Sequence, residues 1–196
     1  MISIFDTIRQ NPKFHVDKSA DWFRTKINEL GSGAPIQQTE LMKTTKEFQS
    51  SRLLPSTMVF FSYDPKYKET LPYYDKFPLS FVISIDKTGF VGINFHYLSQ
   101  PMRIKLFDSM YTIARQSRLP TQQALQLNWK LLSNASKFPA VVPAVKRYLF
   151  NHVQSKFIKV PIDDWKTAIM LENAQFKKAS ANNVRTISKA IAARSV

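Results

Sequence analysis

Three histidines are the first side chains in this sequence that could do chemistry. His15, His96 and His152 are isolated from one another, and no two have the spacing by which one helix presents a pair of metal ligands. His96 shares a predicted strand face with Asn94, which favours a hydrogen-bonded structural histidine over a catalytic one. The histidines therefore predict neither a metal site nor a catalytic base.

Loop carboxylates offer a second kind of chemistry. Asp64, Glu69 and Asp75 could converge on metal ions as nuclease carboxylates do, and a ribonuclease acting from a small β-barrel is a distant alternative for this chain. Lysines alternate with these acids, however, and acids placed among lysines are typical of solvated ion pairs. We expect no catalytic residue and a protein that is not an enzyme.

The lack of cysteine and the small number of glycines exclude further kinds of catalytic and binding site. The chain has no cysteine, which excludes disulfides, thiolate zinc sites and cysteine nucleophiles. Its four glycines, at positions 31, 33, 89 and 92, form neither a phosphate-binding loop nor a nucleophile elbow. We expect no cofactor, no metal and no small-molecule substrate.

Basic residues are concentrated in the second half of the chain. Residues 1–100 carry 12 basic and 10 acidic side chains, a net charge of +2, whereas residues 101–196 carry 16 and 4, a net charge of +12. A half this cationic attracts nucleic acid, anionic lipid or an acidic protein surface. Aromatic residues alternate with several of the basic ones, which suits either stacking on bases or packing in a core. The candidate nucleic-acid-binding residues are Arg103, Lys105, Lys146, Arg147, Lys156, Lys159, Lys177, Lys178, Arg185 and Lys189.

Residues 63–78 form a segment rich in proline and tyrosine, which indicates a binding surface rather than a catalytic site. Pro65, Pro72 and Pro78 fix φ and favour extended neighbours, so this segment can be rigid without regular secondary structure. Adjacent tyrosines at 73 and 74 cannot both point inward, and we expect at least one to cover the core or meet a partner. The predicted partner-binding loop comprises Tyr63, Asp64, Pro65, Lys66, Leu71, Pro72, Tyr73, Tyr74, Asp75, Phe77 and Pro78.

The same segment carries a family resemblance. The runs YDPK at 63–66, LPYYD at 71–75, FPL at 77–79 and GINFHYL at 92–98 resemble a pattern in small proteins of large contractile-tailed, myovirus-type bacteriophages. The resemblance covers residues 57–98 and, more loosely, residues 148–150 and 164–165. It implies a phage protein that is made in the bacterial cytoplasm.

Two functions follow from these features. We expect a non-enzymatic structural or assembly protein of the virion, in the tail, baseplate or neck, that bridges other phage structural proteins through its 63–78 loop. The alternative is a phage accessory protein that binds nucleic acid with its basic second half, and whose binding weakens steeply as salt rises.

The elements that must position these residues form an α+β pattern. Residues 57–63, 78–86 and 89–98 are rich in Val, Ile, Phe and Tyr, and residues 156–162 are the best candidate for a further strand. Gly92 permits a bulge or a close backbone approach. We expect these strands to form a small SH3-like antiparallel β-barrel, with helices before it and a helical cluster at 101–154.

Three regions are predicted along the chain. Residues 1–50 hold N-terminal helices and a wrapping linker, residues 51–162 hold the barrel with its inserted helices, and residues 163–196 form a basic amphipathic C-terminal arm. No apolar run is long enough to span a bilayer, and the N-terminus lacks the pattern of a signal peptide. Neither membrane insertion nor export is expected, and the virion is the expected location.

Overall fold

The computed structural model describes residues 49–116, 121–160, 162, 165–170 and 174–194. The helices and linker predicted for residues 1–48 lie outside the described residues. The strands, in chain order, are β1 (Gln49–Ser50), β2 (Met58–Phe60), β3 (Tyr74–Asp75), β4 (Leu79–Ile85), β5 (Gly89–Asn94), β6 (Val145–Leu149), β7 (Phe157–Val160) and β8 (Phe176–Lys177). The α-helices are α1 (Gln100–Gln116), α2 (Thr121–Ala135), α3 (Trp165–Met170) and α4 (Ala181–Arg194).

Six of these strands form one antiparallel sheet in the order β1-β7-β2-β4-β5-β6. β2 lies inside the sheet because it pairs with β4 on one side and with β7 on the other. The prediction that residues 156–162 supply a strand is therefore confirmed. The two remaining strands, β3 and β8, pair with each other in a separate two-stranded ribbon.

A short turn at residues 86–89 joins β4 to β5. The Oδ1 of Asp86 accepts hydrogen bonds from the backbone N–H groups of Thr88, at 2.8 Å, and of Gly89, at 3.0 Å. Further along, β4 bulges between Val82 and Ser84, opposite Gly92. A Cβ on Gly92 would lie 2.7 Å from the carbonyl oxygen of Phe81, which confirms the predicted close approach.

The α+β class is confirmed, but the described strands do not close into a barrel. At the two ends of the strand order, β1 pairs with β7 and β6 pairs with β5, so the sheet is open. It is curled rather than flat, because Tyr148 of β6 packs against Phe61 beside β2 with ring centroids 4.9 Å apart. An isolated bridge from Tyr63 to Val153 spans the gap. The free edge of β6 thus faces a loop, and it does not pair with a further strand that would close a barrel.

The helical cluster predicted for 101–154 needs a second correction. Its first part forms α1 and α2, but residues 142–149 form a three-ten turn at Val142–Ala144 and then strand β6 instead of a helix. In β6 the side chain of Tyr148 is buried and that of its neighbour Arg147 is exposed, as expected for adjacent residues of a strand. The strand predicted for 89–98 also ends early, at Asn94, and a three-ten helix at Phe95–Tyr97 follows it.

The sheet carries a core on each face. The main core fills the space between the sheet and the helices, with Phe60, Phe81 and Trp165 among its fully or nearly fully buried members. A smaller aromatic cluster occupies the opposite face around Phe61 and Phe90. Burial of this much aromatic surface on both faces is the main source of the fold's stability.

The C-terminal elements pack against the rest of the fold. Helix α3 contacts α1, and α4 contacts the three-ten helices at Phe95–Tyr97 and Val142–Ala144. The exposed apolar side chains of α4 include Ile187 and Ile191. The division of the chain into three regions stays a prediction. No helix in the part of the chain that the structure describes is long and apolar enough to cross a membrane.

Candidate functional site

A groove of about 330 Å³ lies between the loop at 63–75 and the edge strand β6. Tyrosine dominates its lining, since six of the seven tyrosines in the chain border it. These are Tyr63, Tyr67, Tyr73, Tyr74, Tyr97 and Tyr148. Two lysines, Lys66 and Lys146, also line it, and we call it the tyrosine groove.

Backbone hydrogen bonds hold the loop that forms the first wall of the tyrosine groove. The N–H of Tyr63 donates to the carbonyl of Lys76 at 2.9 Å, and the N–H of Asp64 donates to the carbonyl of His152 at 3.0 Å. Within the loop, the N–H of Leu71 donates to the carbonyl of Tyr67 at 3.0 Å. The prolines therefore act together with hydrogen bonds in keeping this wall in place.

A lysine from the C-terminal segment ties the same loop down. The Nζ of Lys178 donates to the carbonyl oxygens of Lys68 and Glu69, both at 2.7 Å, and to that of Leu71 at 3.3 Å. Lys178 has a φ of 66°, in the left-handed region that non-glycine residues seldom adopt. The tether lies next to the β3–β8 ribbon, in which Tyr74 pairs with Lys177.

The floor of the tyrosine groove is a buried polar network centred on Asp75. The Oδ2 of Asp75 lies 2.6 Å from Nδ1 of His96 and accepts a hydrogen bond from Nδ2 of Asn94 at 3.1 Å. The same Asn94 amide donates to the hydroxyl of Tyr148 at 3.1 Å. The hydrogen-bonded role predicted for His96 is confirmed, since its backbone N–H also donates to Asn94 at 2.9 Å.

The charge of Asp75 is stabilised by its partners in spite of burial. Burial raises the pKa of its carboxyl, but the charge and hydrogen bond of His96, with further bonds from Asn94 and from the Phe77 N–H, outweigh it and hold the pKa below its usual range. Its other oxygen accepts from the N–H groups of Phe77, at 3.0 Å, and Gln175, at 3.1 Å. The network therefore serves as a satisfied structural floor.

Lys146 supplies a positive charge to the second wall. Its Nζ lies 4.1 Å from the centroid of the Tyr97 ring, close enough for a cation–π interaction. Burial lowers the pKa of Lys146 to about 8, so the ammonium remains mostly charged at neutral pH. Among the described side chains no carboxylate forms an ion pair with it, which leaves its charge available to an anion.

Four of the six tyrosines that line the tyrosine groove are packed and uncharged. Tyr73 lies against Tyr97 with ring centroids 6.0 Å apart, and the Tyr97 ring meets Phe176 edge-on at 5.0 Å. Burial raises the pKa of the Tyr63, Tyr73, Tyr97 and Tyr148 hydroxyls, so they stay protonated at neutral pH. Tyr67, 62% exposed, stands at the rim.

The structure brings most of the predicted partner-binding loop to the tyrosine groove. Seven of its eleven residues line it: Tyr63, Pro65, Lys66, Leu71, Tyr73, Tyr74 and Asp75. Phe77 and Pro78 are instead buried in the core, where Phe77 stacks on Phe60 at 5.3 Å. Asp64 forms an ion pair with Lys68 at 2.9 Å, and Pro72 is exposed.

The ten predicted nucleic-acid-binding residues are dispersed. Lys146 and Arg147 border the tyrosine groove, although the guanidinium of Arg147 is paired with Asp86 at 2.7 Å. Arg103 is buried, and it donates to the carbonyls of Leu98, Ile169 and His96, so it holds backbone and is not presented to a ligand. The structure places Lys105, Lys156, Lys177, Lys178 and Lys189 at the surface and leaves Lys159 and Arg185 half-buried.

The acids considered for a nuclease site do not converge. Asp75 belongs to the buried floor, Asp64 pairs with Lys68, and Glu69 is exposed. Across the described residues no group of three or more histidine, aspartate or glutamate side chains could hold a metal ion.

Sequence reasoning missed three tyrosines of the tyrosine groove, namely Tyr67, Tyr97 and Tyr148, as part of one site. They come from a loop, a three-ten helix and an edge strand that are distant in the chain. Spacing could not connect them, because β6 was expected to be helical. The skewed use of tyrosine was the one available signal, since all seven tyrosines fall between positions 63 and 148.

The chain was compared with models of known protein families, with curated proteins and with solved structures. The family model described as phage T4 terminal DNA protecting protein matches residues 2–190 of the chain. No curated protein matches the chain, and neither does any solved structure.

Proposed function

The chain belongs to the phage T4 terminal DNA protecting protein family, and from this premise we propose that it binds the ends of linear phage DNA and shields them. The match over residues 2–190 is the observation that carries the proposal. The tyrosine groove and the excess of basic residues support it, because stacking rings and cations suit nucleic acid.

Family membership also supports one of the two functions expected from the sequence more than the other. The chain is a phage protein, as its resemblance to myovirus-type proteins implied. The nucleic-acid-binding alternative is favoured over the tail, baseplate or neck component, because the family is described by its action on DNA termini. A bridging role between other phage structural proteins remains a secondary proposal.

Protection on this proposal is steric and needs no catalysis. A protein that occupies a DNA terminus blocks exonucleases that must thread or grip that terminus. The positive charge of the chain attracts DNA at any position along the duplex, and contacts confined to the terminus would supply the preference for ends.

If the protein stays on packaged DNA, it would be carried in the virion. Its peptides should then appear in mass spectra of purified particles, and their absence would contradict that location.

A protection assay tests the proposal. A linear duplex is incubated with the protein and a double-strand exonuclease, in competition with either linear or covalently closed circular DNA of the same sequence. We expect the duplex to be protected, with linear competitor abolishing protection at far lower concentration than circular competitor. Unimpeded digestion, or equal competition per base pair by the two forms, would contradict end binding.

A further inference from the structure

We propose that the tyrosine groove holds one unpaired nucleotide at the DNA end, with its base stacked on tyrosine rings and its phosphate beside Lys146. This inference rests on the proposed function, because it specifies what the protein recognises at an end. The occupant would be a single-stranded terminal nucleotide rather than the duplex itself.

The size of the tyrosine groove favours one nucleotide. Its volume of about 330 Å³ lies at the small end of the roughly 300–1,000 Å³ typical of small-ligand sites. A base pair within a double helix cannot enter such a space, whereas a base that has left the stack can. Unstacking is costly for a paired base and costs least for a base that is already unpaired.

The chemistry of the walls favours a base. Six tyrosines around one cavity present ring faces and hydroxyl groups, which can stack on a base and hydrogen-bond its edges. Tyr67 at the exposed rim and half-buried Tyr74 belong to the loop wall, opposite Tyr97 and Tyr148. Every base has a π-face, so such walls accept an end of any sequence.

The charge distribution favours a phosphate at the same place. Lys146 lies over Tyr97 inside the tyrosine groove, and Lys66 lies 5.2 Å from the Tyr67 ring at its rim. The one acid in the lining, Asp75, is paired with His96 and accepts bonds from two backbone amides, so it does not repel an anion strongly. An anion entering here meets an unneutralised ammonium in a partly desolvated setting.

Recognition of an unpaired nucleotide would by itself make the protein bind DNA ends in preference to the interior of a duplex. A duplex with a one-nucleotide overhang should bind most tightly, a blunt end should bind less tightly because its last pair must open, and a hairpin-closed duplex should bind least. The order follows from the cost of delivering one free base to the tyrosine groove.

The test uses the full chain and three duplexes, with an overhang, a blunt end or a hairpin closure at each terminus. The overhanging base is 2-aminopurine, whose fluorescence falls on stacking. The variants are Tyr67→Ala with Tyr74→Ala, and Tyr67→Phe with Tyr74→Phe, which retains both rings. Phe138→Ala is the matched control, because Phe138 is 63% exposed and lies outside the tyrosine groove.

We expect the double alanine variant to bind the overhang duplex about 10- to 100-fold more weakly, in line with stacking of roughly 1–3 kcal/mol per base. It should lose the fluorescence quenching and bind the hairpin-closed duplex as the unmodified protein does. The phenylalanine pair and the Phe138 variant should retain quenching and overhang affinity. Thermal unfolding of each variant verifies that it is folded.

Failure of this inference can be told apart from failure of the proposed function. If the unmodified protein prefers overhang and blunt ends but the double alanine variant keeps both affinity and quenching, the tyrosine groove is not where the end is held. If the alanine variant weakens binding to all three duplexes equally, the rings serve general DNA binding and the inference is also wrong. If the unmodified protein shows no preference for ends, the proposed function itself is wrong.

Discussion

At the scale of single residues, Asp75 illustrates what the sequence could and could not show. The pattern around Asn94 and His96 predicted a hydrogen-bonded histidine, and the structure confirms it. Asp75 was expected in a surface loop, yet it is almost completely buried as the partner of both. Because 19 and 21 residues separate it from them, no local spacing pattern joins the three.

Replacing Asp75 with asparagine should destabilise the fold. The variant removes the charge that His96 faces in the buried network, and breaking a buried pair costs about 3–5 kcal/mol. The folded pKa of Asp75 is lowered, so the unfolded state binds more protons as pH falls through the acidic range. The stability from its charge is therefore present above about pH 4, the unfolded pKa, and is lost as pH falls through the folded pKa.

Urea unfolding of the two proteins at neutral and acidic pH measures this difference. The gap in free energy of unfolding should be large at pH 7 and should shrink at low pH, where Asp75 is protonated. Asp64→Asn is the control, because Asp64 and Lys68 form an exposed pair that should contribute much less. A pH-independent gap would contradict the role given to the charge of Asp75.

At the scale of elements, the loop at 63–75 was predicted better than the strand it faces. Its prolines and tyrosines indicated a fixed surface, and most of the named residues line one groove. β6 was missed because a run of five residues is too short for its periodicity to distinguish a strand from a helix until its pairing partner β5 is known. The tether from Lys178 could not be foreseen, since it reaches carbonyls more than 100 residues earlier in the chain.

Replacing Lys178 with methionine should loosen the loop wall. The change keeps a long side chain and the backbone strain at this position while removing the donor to three carbonyls. Lys177→Met is a matched control, because it removes the same charge from the neighbouring position, where the described contacts include no such tether. Hydrogen exchange followed by mass spectrometry should show faster exchange at residues 68–71 in the Lys178 variant alone. Equal exchange in the two variants would mean that the tether does not hold the loop.

At the scale of the whole molecule, the sequence predicted the charge and the fold class, but it did not predict whether the sheet closes into a barrel. The excess of basic residues indicated nucleic acid as one partner, and alternating strands and helices indicated an α+β fold. Whether a curled sheet closes depends on which edges meet, and here an edge strand meets a loop. The tyrosine groove lies between this edge strand and this loop.

Binding of the whole molecule to DNA ends should weaken steeply with salt. A protein that neutralises Z phosphates shows a slope of about −0.9Z in a plot of log K against log salt concentration. Lys146→Gln should make the slope shallower by about 1, if its ammonium contacts one phosphate. The measurement is a titration of an end-labelled duplex by anisotropy at several salt concentrations. A slope near zero for the unmodified protein would contradict the electrostatic part of the proposal.

The insertion of β7 between β1 and β2 has a consequence for the newly made chain. β2 cannot gain its second neighbour until residues 157–160 have left the ribosome, and the loop wall waits longer still, for Lys178. Contacts so distant in sequence also form slowly. The loop wall of the tyrosine groove would therefore be completed only when the last part of the chain, which also carries several of its basic residues, has been synthesised.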